Sequence, residues 1–90
     1  MKNKKPAVIY GMLQDDKGQP LAGARVYYIN GPVPLPDIAL LSDSTGRFSL
    51  AAPADGTYLI GCSADGFKPG KATVKVISGE DAEIVIKLIR

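Results

Sequence analysis

The chain has 90 residues, of which 46% are hydrophobic and 22% charged, and its formal net charge is +2. This length allows one domain with a modest core, and the composition is typical of a globular protein rather than a disordered one. The small net charge argues against a nucleic-acid partner, and the lack of histidine excludes a Cys–His nucleophile pair or a His-ligated zinc site.

The N-terminal residues predict a basic tail rather than a targeting segment. Lysines precede an apolar stretch that ends at Leu13, and this stretch is too short and too strand-like for a secretory signal. No run approaches the roughly 20 apolar residues of a membrane helix. We expect a flexible tail over residues 1–6 and one domain over 7–90. If Met1 is the natural start, we expect a cytoplasmic protein, or one exported by a non-Sec route with a larger assembly.

Alternating apolar residues predict seven short strands. In chain order these are Val8–Gln14, Ala24–Asn30, Ile38–Leu41, Arg47–Ala51, Thr57–Ala64, Ala72–Ile77 and Glu83–Ile89. Turns with Asp and Gly separate several of them, at 15–18, 43–46, 55–56 and 65–66, because Asp accepts backbone hydrogen bonds and Gly takes a positive φ. No helical pattern of about ten residues is present. The sequence therefore predicts an all-β, seven-stranded Greek-key sandwich.

Cys62 is the single cysteine and is in phase with Tyr58 and Ile60, so we expect a small buried hydrophobic residue and no internal disulfide.

The connection between the second and third strands departs from the alternating pattern. Residues 31–37 carry prolines at alternate positions, which favours extended polyproline II backbone over a strand.

Three motifs are spaced along most of the chain. They are Ile9-x-Gly11-x-Leu13-x-Asp15-x-x-Gly18-x-Pro20-Leu21-x-Gly23-Ala24-x-Val26, Ser42-Asp43-x-x-Gly46-x-Phe48-x-Leu50 and Gly56-Thr57-Tyr58-x-Ile60-x-Cys62-x-Ala64-x-Gly66-Phe67. This arrangement resembles the carboxypeptidase regulatory-like family, which has a transthyretin-like (prealbumin-like) fold. The resemblance implies packing and turn roles for these residues. It also implies a bacterial accessory domain of the kind attached to peptidases, outer-membrane receptors and spike proteins of contractile secretion machines.

We predict no catalytic, cofactor-binding or metal site, and no enzymatic activity. The hydroxyisourate hydrolases, which share the fold, rely on histidines and a C-terminal Tyr-Arg-Gly-Ser, whereas this chain ends Lys-Leu-Ile-Arg. Carboxylate chemistry stays open in principle, but most acidic residues occupy turn positions where Asp caps the backbone. Calcium binding at a loop end is conceivable, although no spacing matches a dedicated calcium loop.

Protein docking is the predicted function, and it rests on two candidate surfaces. Outward-facing residues of the first and last strands would form an apolar surface if these strands are neighbours; they are Val8, Tyr10, Met12, Val85 and Ile89. The second surface is the proline-rich loop, with Val33, Leu35 and Ile38, whose stiff backbone would lose little entropy on docking. These loop residues have an alternative role, which is to cover the open end of the sandwich. Exposed strand edges are a third possible contact.

A carbohydrate-binding accessory module is the alternative function. Such modules stack sugars on exposed aromatic rings, and the residues predicted to face outward are Tyr10 and Tyr27. The chain has no Trp, which weakens this hypothesis. The sequence leaves the identity of a protein partner and the oligomeric state open.

Overall fold

The computed structural model describes residues 7–36 and 39–90, and within them seven strands form. The strands are β1 (Ala7–Gln14), β2 (Arg25–Asn30), β3 (Ala39–Leu41), β4 (Arg47–Ala52), β5 (Gly56–Ser63), β6 (Gly70–Val76) and β7 (Ala82–Lys87). The tail predicted for residues 1–6 and Ile38 lie outside the described residues. No helix long and apolar enough to cross a membrane occurs in the two described ranges.

The strands form two sheets that pack face to face. Sheet I has the strand order β4-β1-β7, and sheet II has the order β3-β2-β5-β6. Within sheet I, β1 is antiparallel to β4 and parallel to β7, whereas all pairs in sheet II are antiparallel. The edge strands β6 and β7 lie beside each other where the sheets meet. This architecture confirms the predicted β-sandwich.

The core contains the inward-facing residues of both sheets, as the alternation predicted. The largest fully buried side chains are Tyr58, Ile9, Leu13, Ile60, Leu88, Val26, Val76 and Cys62. Cys62 is fully buried, and burial raises the pKa of its thiol to about 11. It therefore has the expected role of a small apolar core residue.

Two tyrosines close one end of the core. Their rings are tilted by 38° with centroids 5.3 Å apart, and they belong to Tyr28 and Tyr58. The Tyr58 hydroxyl donates to the carbonyl of Ala54, and the Tyr28 hydroxyl donates to the carbonyl of Ala51. The second bond ties sheet II to the β4 edge of sheet I. Burial raises the pKa of Tyr28 to about 12, because it disfavours the charged phenolate.

A glycine on β1 provides the space for a large ring from β4. Gly11 lies opposite Phe48, and an added Cβ at Gly11 would lie 2.0 Å from Cζ of the Phe48 ring. Phe48 is itself buried, so its ring has little room to move away. The glycine is required here by close packing across the strand pair rather than by an unusual φ.

Two Asp turns have the same hydrogen-bond pattern. The Oδ1 of Asp15 accepts the N–H groups of Lys17 and Gln19, at 2.8 and 2.9 Å. The Oδ1 of Asp43 accepts those of Thr45 and Arg47 at the same two distances. These bonds fix the predicted turns.

The same bonds stabilise the charged form of each carboxylate. The Gln19 N–H is the main reason that the pKa of Asp15 lies below its ordinary value, and partial burial opposes this effect. The Arg47 N–H, followed by the Thr45 hydroxyl, lowers the pKa of Asp43 in the same way. The deprotonated forms of Asp15 and Asp43 therefore stabilise the folded state.

We expect Gly11→Ala to destabilise the protein by about 1–3 kcal/mol, because the new methyl group overlaps the Phe48 ring. The change in unfolding free energy is measured by urea denaturation. A double-mutant cycle with Phe48→Leu is the control, since the smaller side chain leaves room for the methyl group. An equal cost of Gly11→Ala in both backgrounds would contradict the ring contact.

We expect Asp43→Asn to reduce the acid sensitivity of folding. The pKa of Asp43 is lower in the folded state, so its contribution is complete above the ordinary Asp value of about 3.9 and is lost as pH falls through the folded pKa. Urea unfolding from about pH 5 to pH 2 should show a smaller loss of stability in the variant. Asp65→Asn, an exposed turn residue, is the control, and identical pH profiles for Asp43→Asn and the unsubstituted protein would refute the prediction.

Candidate interaction surfaces

The outer face of sheet I brings apolar residues of β1 and β7 together, as the first predicted surface requires. The strands pair in parallel, with Met12 beside Val85 and Tyr10 beside Glu83. On the other side of Met12, the register of β4 places Arg47. The apolar side chains are thus flanked by one cation and one carboxylate.

These residues surround a shallow depression of about 590 Å³. Tyr10 is 46% exposed and Val85 is 66% exposed, whereas Met12 and Val8 are partly buried. The backbone N–H of Val8 donates to the Asp81 carboxylate at 2.8 Å, which holds the start of β1 against the segment that leads into β7. We name Val8, Tyr10, Met12 and Val85 the sheet I patch.

Ile89 does not belong to this patch, which corrects the grouping made from alternation alone. Ile89 is 57% exposed, but it follows the end of β7, and Lys87 lies between it and Val85. Four residues of extended chain separate Ile89 from Val85 by roughly 13 Å. The carbonyl of Ile89 instead accepts the N–H of Lys68 at 2.7 Å, at the far end of the sandwich.

In the proline-rich loop, one apolar side chain is exposed and another packs against the core. Val33 is 36% exposed, whereas Leu35 is partly buried and packs against the core. The Leu35 methyl group lies over Gly31, where an added Cβ would approach it to 2.6 Å. For Leu35 this is the alternative role of covering the open end of the sandwich. Ile38 lies outside the described residues, and a docking role for Val33 stays a prediction.

The two tyrosines of the carbohydrate hypothesis lie on opposite sides of the molecule. Tyr10 is on the outer face of sheet I, and Tyr27 is on β2 in sheet II. Tyr27 is half-buried because its ring lies across the backbone of Gly61. The two rings therefore cannot stack on one sugar, and a sugar contact at either tyrosine stays a prediction.

Several carboxylates have structural partners in the backbone. Besides Asp15, Asp43 and Asp81, the Asp55 carboxylate accepts the N–H groups of Ser78 and Gly79, both at 2.9 Å. These bonds agree with the predicted capping role. Across the part of the chain that the structure describes, no group of three or more Cys, Asp or Glu side chains is placed to hold a metal ion.

Nothing in the sequence marks Arg47 and Glu83 as the polar neighbours of the sheet I patch. Arg47 and Glu83 are exposed and line the same depression as Tyr10. Alternation places both side chains outward, but it does not specify which strands are neighbours. The strand order β4-β1-β7, which places Arg47 and Glu83 beside the patch, would have been needed to predict them.

The chain belongs to the carboxypeptidase regulatory-like domain family, which matches residues 8–89. This match confirms the family indicated by the three spaced motifs. The protein is thus a small β-sandwich domain of the carboxypeptidase-regulatory type. No curated protein is similar enough in sequence to match the chain.

Three solved structures illustrate how this fold is used elsewhere. The Bacillus anthracis TIE protein superposes with a TM-score of 0.73 at 18% identity, over 96% of this chain and 17% of that one. Chlorocatechol 1,2-dioxygenase from Pseudomonas putida gives 0.69 at 16% identity, over 100% of this chain and 62% of that one. A cohesin–X-dockerin complex from Acetivibrio cellulolyticus gives a TM-score of 0.62 at 14% identity, over 89% of this chain and 56% of that one.

These similarities concern the fold. The chain spans less than two thirds of the length of each of these three chains, so the sandwich corresponds to one part of a larger protein in every case. Because the identities are below 20%, the activities of those proteins are not transferred to this chain.

We expect Leu35→Ala to destabilise the domain by about 1–3 kcal/mol, because a partly buried leucine loses its contacts with the core. Val33→Ala, in the same loop, should change stability by less than about 0.5 kcal/mol, since Val33 is more exposed than Leu35 and does not pack against the core. Thermal and urea unfolding of both variants provide the comparison. Equal effects of the two substitutions would show that Leu35 does not cover the end of the core.

Proposed function

We propose that this domain is a non-enzymatic docking module that binds a protein partner through the sheet I patch. The observation that carries the proposal is the pair of exposed side chains, Tyr10 and Val85, which both neighbour Met12 and line one depression with it. Aromatic residues and methionine are enriched in protein interfaces, where a tyrosine contributes a large contact area. These residues are outside the core, so folding does not account for their apolar character.

The charges beside the patch suit a specific contact. Arg47 and Glu83 flank Tyr10 and Met12, and both side chains are exposed to solvent. Opposite charges at the rim of an apolar centre select the orientation of a partner more than they add affinity. Val33 on the proline-rich loop is a second, separate candidate contact.

The chemistry of the remaining side chains supports a binding role over catalysis. The Cys62 thiol is buried and has a raised pKa, which makes it a poor nucleophile at neutral pH. Asp15, Asp43 and Asp55 are engaged by backbone N–H groups, and the sequence supplies no histidine base. The similar fold in a cohesin–dockerin complex, and its place as one part of larger chains, support an accessory or adaptor role in an assembly.

The test compares Tyr10→Asp and Val85→Asp with Ile77→Asp. Ile77 is 59% exposed and lies in the β6–β7 connection, so it is a matched apolar control outside the patch. Light scattering first establishes whether a second copy binds. Crosslinking in an extract of the source organism, with mass spectrometry of the adducts, then identifies other partners.

Each substitution in the patch should weaken the identified contact by about tenfold or more, because a charge is placed at the centre of an apolar interface. Circular dichroism should be unchanged, and Ile77→Asp should bind normally. If all three variants bind as the unsubstituted protein does, or if all three lose binding equally, the sheet I patch is not the docking surface.

A further inference from the structure

The strands of sheet II carry charge of one sign. Their charged residues are Arg25 on β2 and Lys71 and Lys75 on β6, with no carboxylate in any of the four strands. All three side chains are exposed and alternate with inward-facing residues, which places them on the outer face of the sheet. By contrast, the strands of sheet I carry both signs, with Arg47, Glu83 and Lys87.

An apolar cluster lies at the centre of this cationic face. The Tyr27 ring and the Ile29 side chain both lie over Gly61, with atoms 2.4 and 2.9 Å from the position that a Cβ would occupy. Leu59, two residues before Gly61, is partly exposed on the same face, and Ile29 is 46% exposed. The glycine therefore allows two neighbouring side chains to form a continuous apolar surface. We name Tyr27, Ile29 and Leu59 the sheet II cluster.

The cations surround this cluster in a defined register. Lys71 lies opposite Gly61, and Lys75 lies opposite Thr57, so both lysines line the β6 side of the cluster. With strands about 4.8 Å apart, the Lys71 backbone is roughly 10 Å from that of Tyr27, within reach of a lysine side chain. On the other side, Arg25 lies beside Leu41, which is 64% exposed.

Within residues 7–36 and 39–90, no salt bridge joins Arg25, Lys71 or Lys75 to a carboxylate. The nearby acidic residues lie in turns at the strand ends. Asp43 follows β3, Asp55 precedes β5 and Asp65 follows β5. The carboxylates of Asp43 and Asp55 accept backbone N–H groups of their own turns or of the β6–β7 turn. In the described part of sheet II, the cations thus face solvent around an apolar centre.

We propose that the outer face of sheet II is a second docking surface, which binds an acidic protein segment with apolar residues. Apolar side chains of the segment lie on the sheet II cluster, and its carboxylates pair with Arg25, Lys71 and Lys75. The face spans about 15 Å by 20 Å, which is far below the area of a standard protein–protein interface of about 800 Å² per partner. A single helix or extended segment fits this size better than a whole domain.

Charge also argues against two other occupants. A second copy joined through the same face would bring like charges together, and the sheet I face offers Glu83 together with two cations rather than a net negative surface. Nucleic acid favours several stacking aromatics and a larger set of cations, whereas this face has one half-buried tyrosine and aliphatic neighbours.

The experiment selects binders from a random peptide display library on the full chain. We expect enriched peptides with net negative charge and apolar residues, and amide NMR shifts that map their contact to the sheet II cluster and β6. Raising the salt from about 50 to 500 mM should weaken binding several-fold, because exposed charges are screened over a shorter distance.

Charge-reversal variants test the residues directly. Lys71→Glu/Lys75→Glu should weaken binding of the selected peptide by about tenfold or more, whereas Lys71→Arg/Lys75→Arg should bind normally. Lys17→Glu/Lys87→Glu reverses two exposed lysines outside sheet II and is the matched control for net charge. Val85→Asp separates this surface from the sheet I patch and should leave binding of the selected peptide unchanged.

Three outcomes would overturn the proposal. The first is enrichment of neutral or basic peptides, and the second is a contact that maps to sheet I or is lost in Val85→Asp. The third is tighter binding of a heparin fragment or a single-stranded oligonucleotide than of the best acidic peptide, which would assign the face to a polyanion instead. The first and third outcomes leave the sheet I patch unaffected. The second would assign the selected peptide to that patch, because Val85→Asp also belongs to its test.

Discussion

The packing of the two inner sheet faces against each other is the interaction on which this molecule depends. Ile9 and Leu13 from sheet I and Val26 and Ile60 from sheet II have no exposed surface. Burial of apolar area of this kind is the main favourable contribution to folding. Since side chains alternate along every strand, fixing one set inward also fixes the direction of the other set. The outer surfaces of the protein are therefore a consequence of its core.

Local interactions keep this packing in register. The ring of Phe48 fills the space over Gly11, which locks β4 against β1, and the Tyr28 hydroxyl joins sheet II to the β4 edge through Ala51. The turns at Asp15 and Asp43 hold the strand ends through charge-assisted bonds to backbone N–H groups. A slip of one residue in β1 would turn Tyr10 inward and Ile9 outward. The interactions that fix the strand register thus stabilise the fold and also determine which side chains are exposed.

The two outer faces have different chemistry and point in opposite directions. On sheet I, Tyr10 and Val85 lie among charges of both signs, whereas on sheet II the cluster around Tyr27 is surrounded by cations alone. The two proposed docking surfaces would not compete for a partner, because they lie on opposite sides of the sandwich.

Much of the fold was predictable because its signals are local. Period-two alternation gave all seven strands with ends within two residues of those observed, and the Asp and Gly positions gave the turns. The candidate site was predictable only in part. The strand register brings Tyr10, Met12 and Val85 together, whereas Ile89 was grouped with them by phase although it lies beyond the strand end; a docking role for this surface stays a prediction. Leu35 had two predicted roles, docking and covering the open end of the sandwich, and its packing on the core agrees with the second.

The sequence by itself determined which residues face inward, where the chain turns, and that histidine-based chemistry is impossible. These properties follow from the spacing and the chemical identity of residues close in the chain. Only the tertiary structure decided which strands are neighbours, and hence that Glu83 and Arg47 border Tyr10 while Tyr27 lies on the opposite side of the molecule. The physical reason is that strand pairing joins residues distant in sequence, and the backbone hydrogen bonds that make it are the same for every side chain.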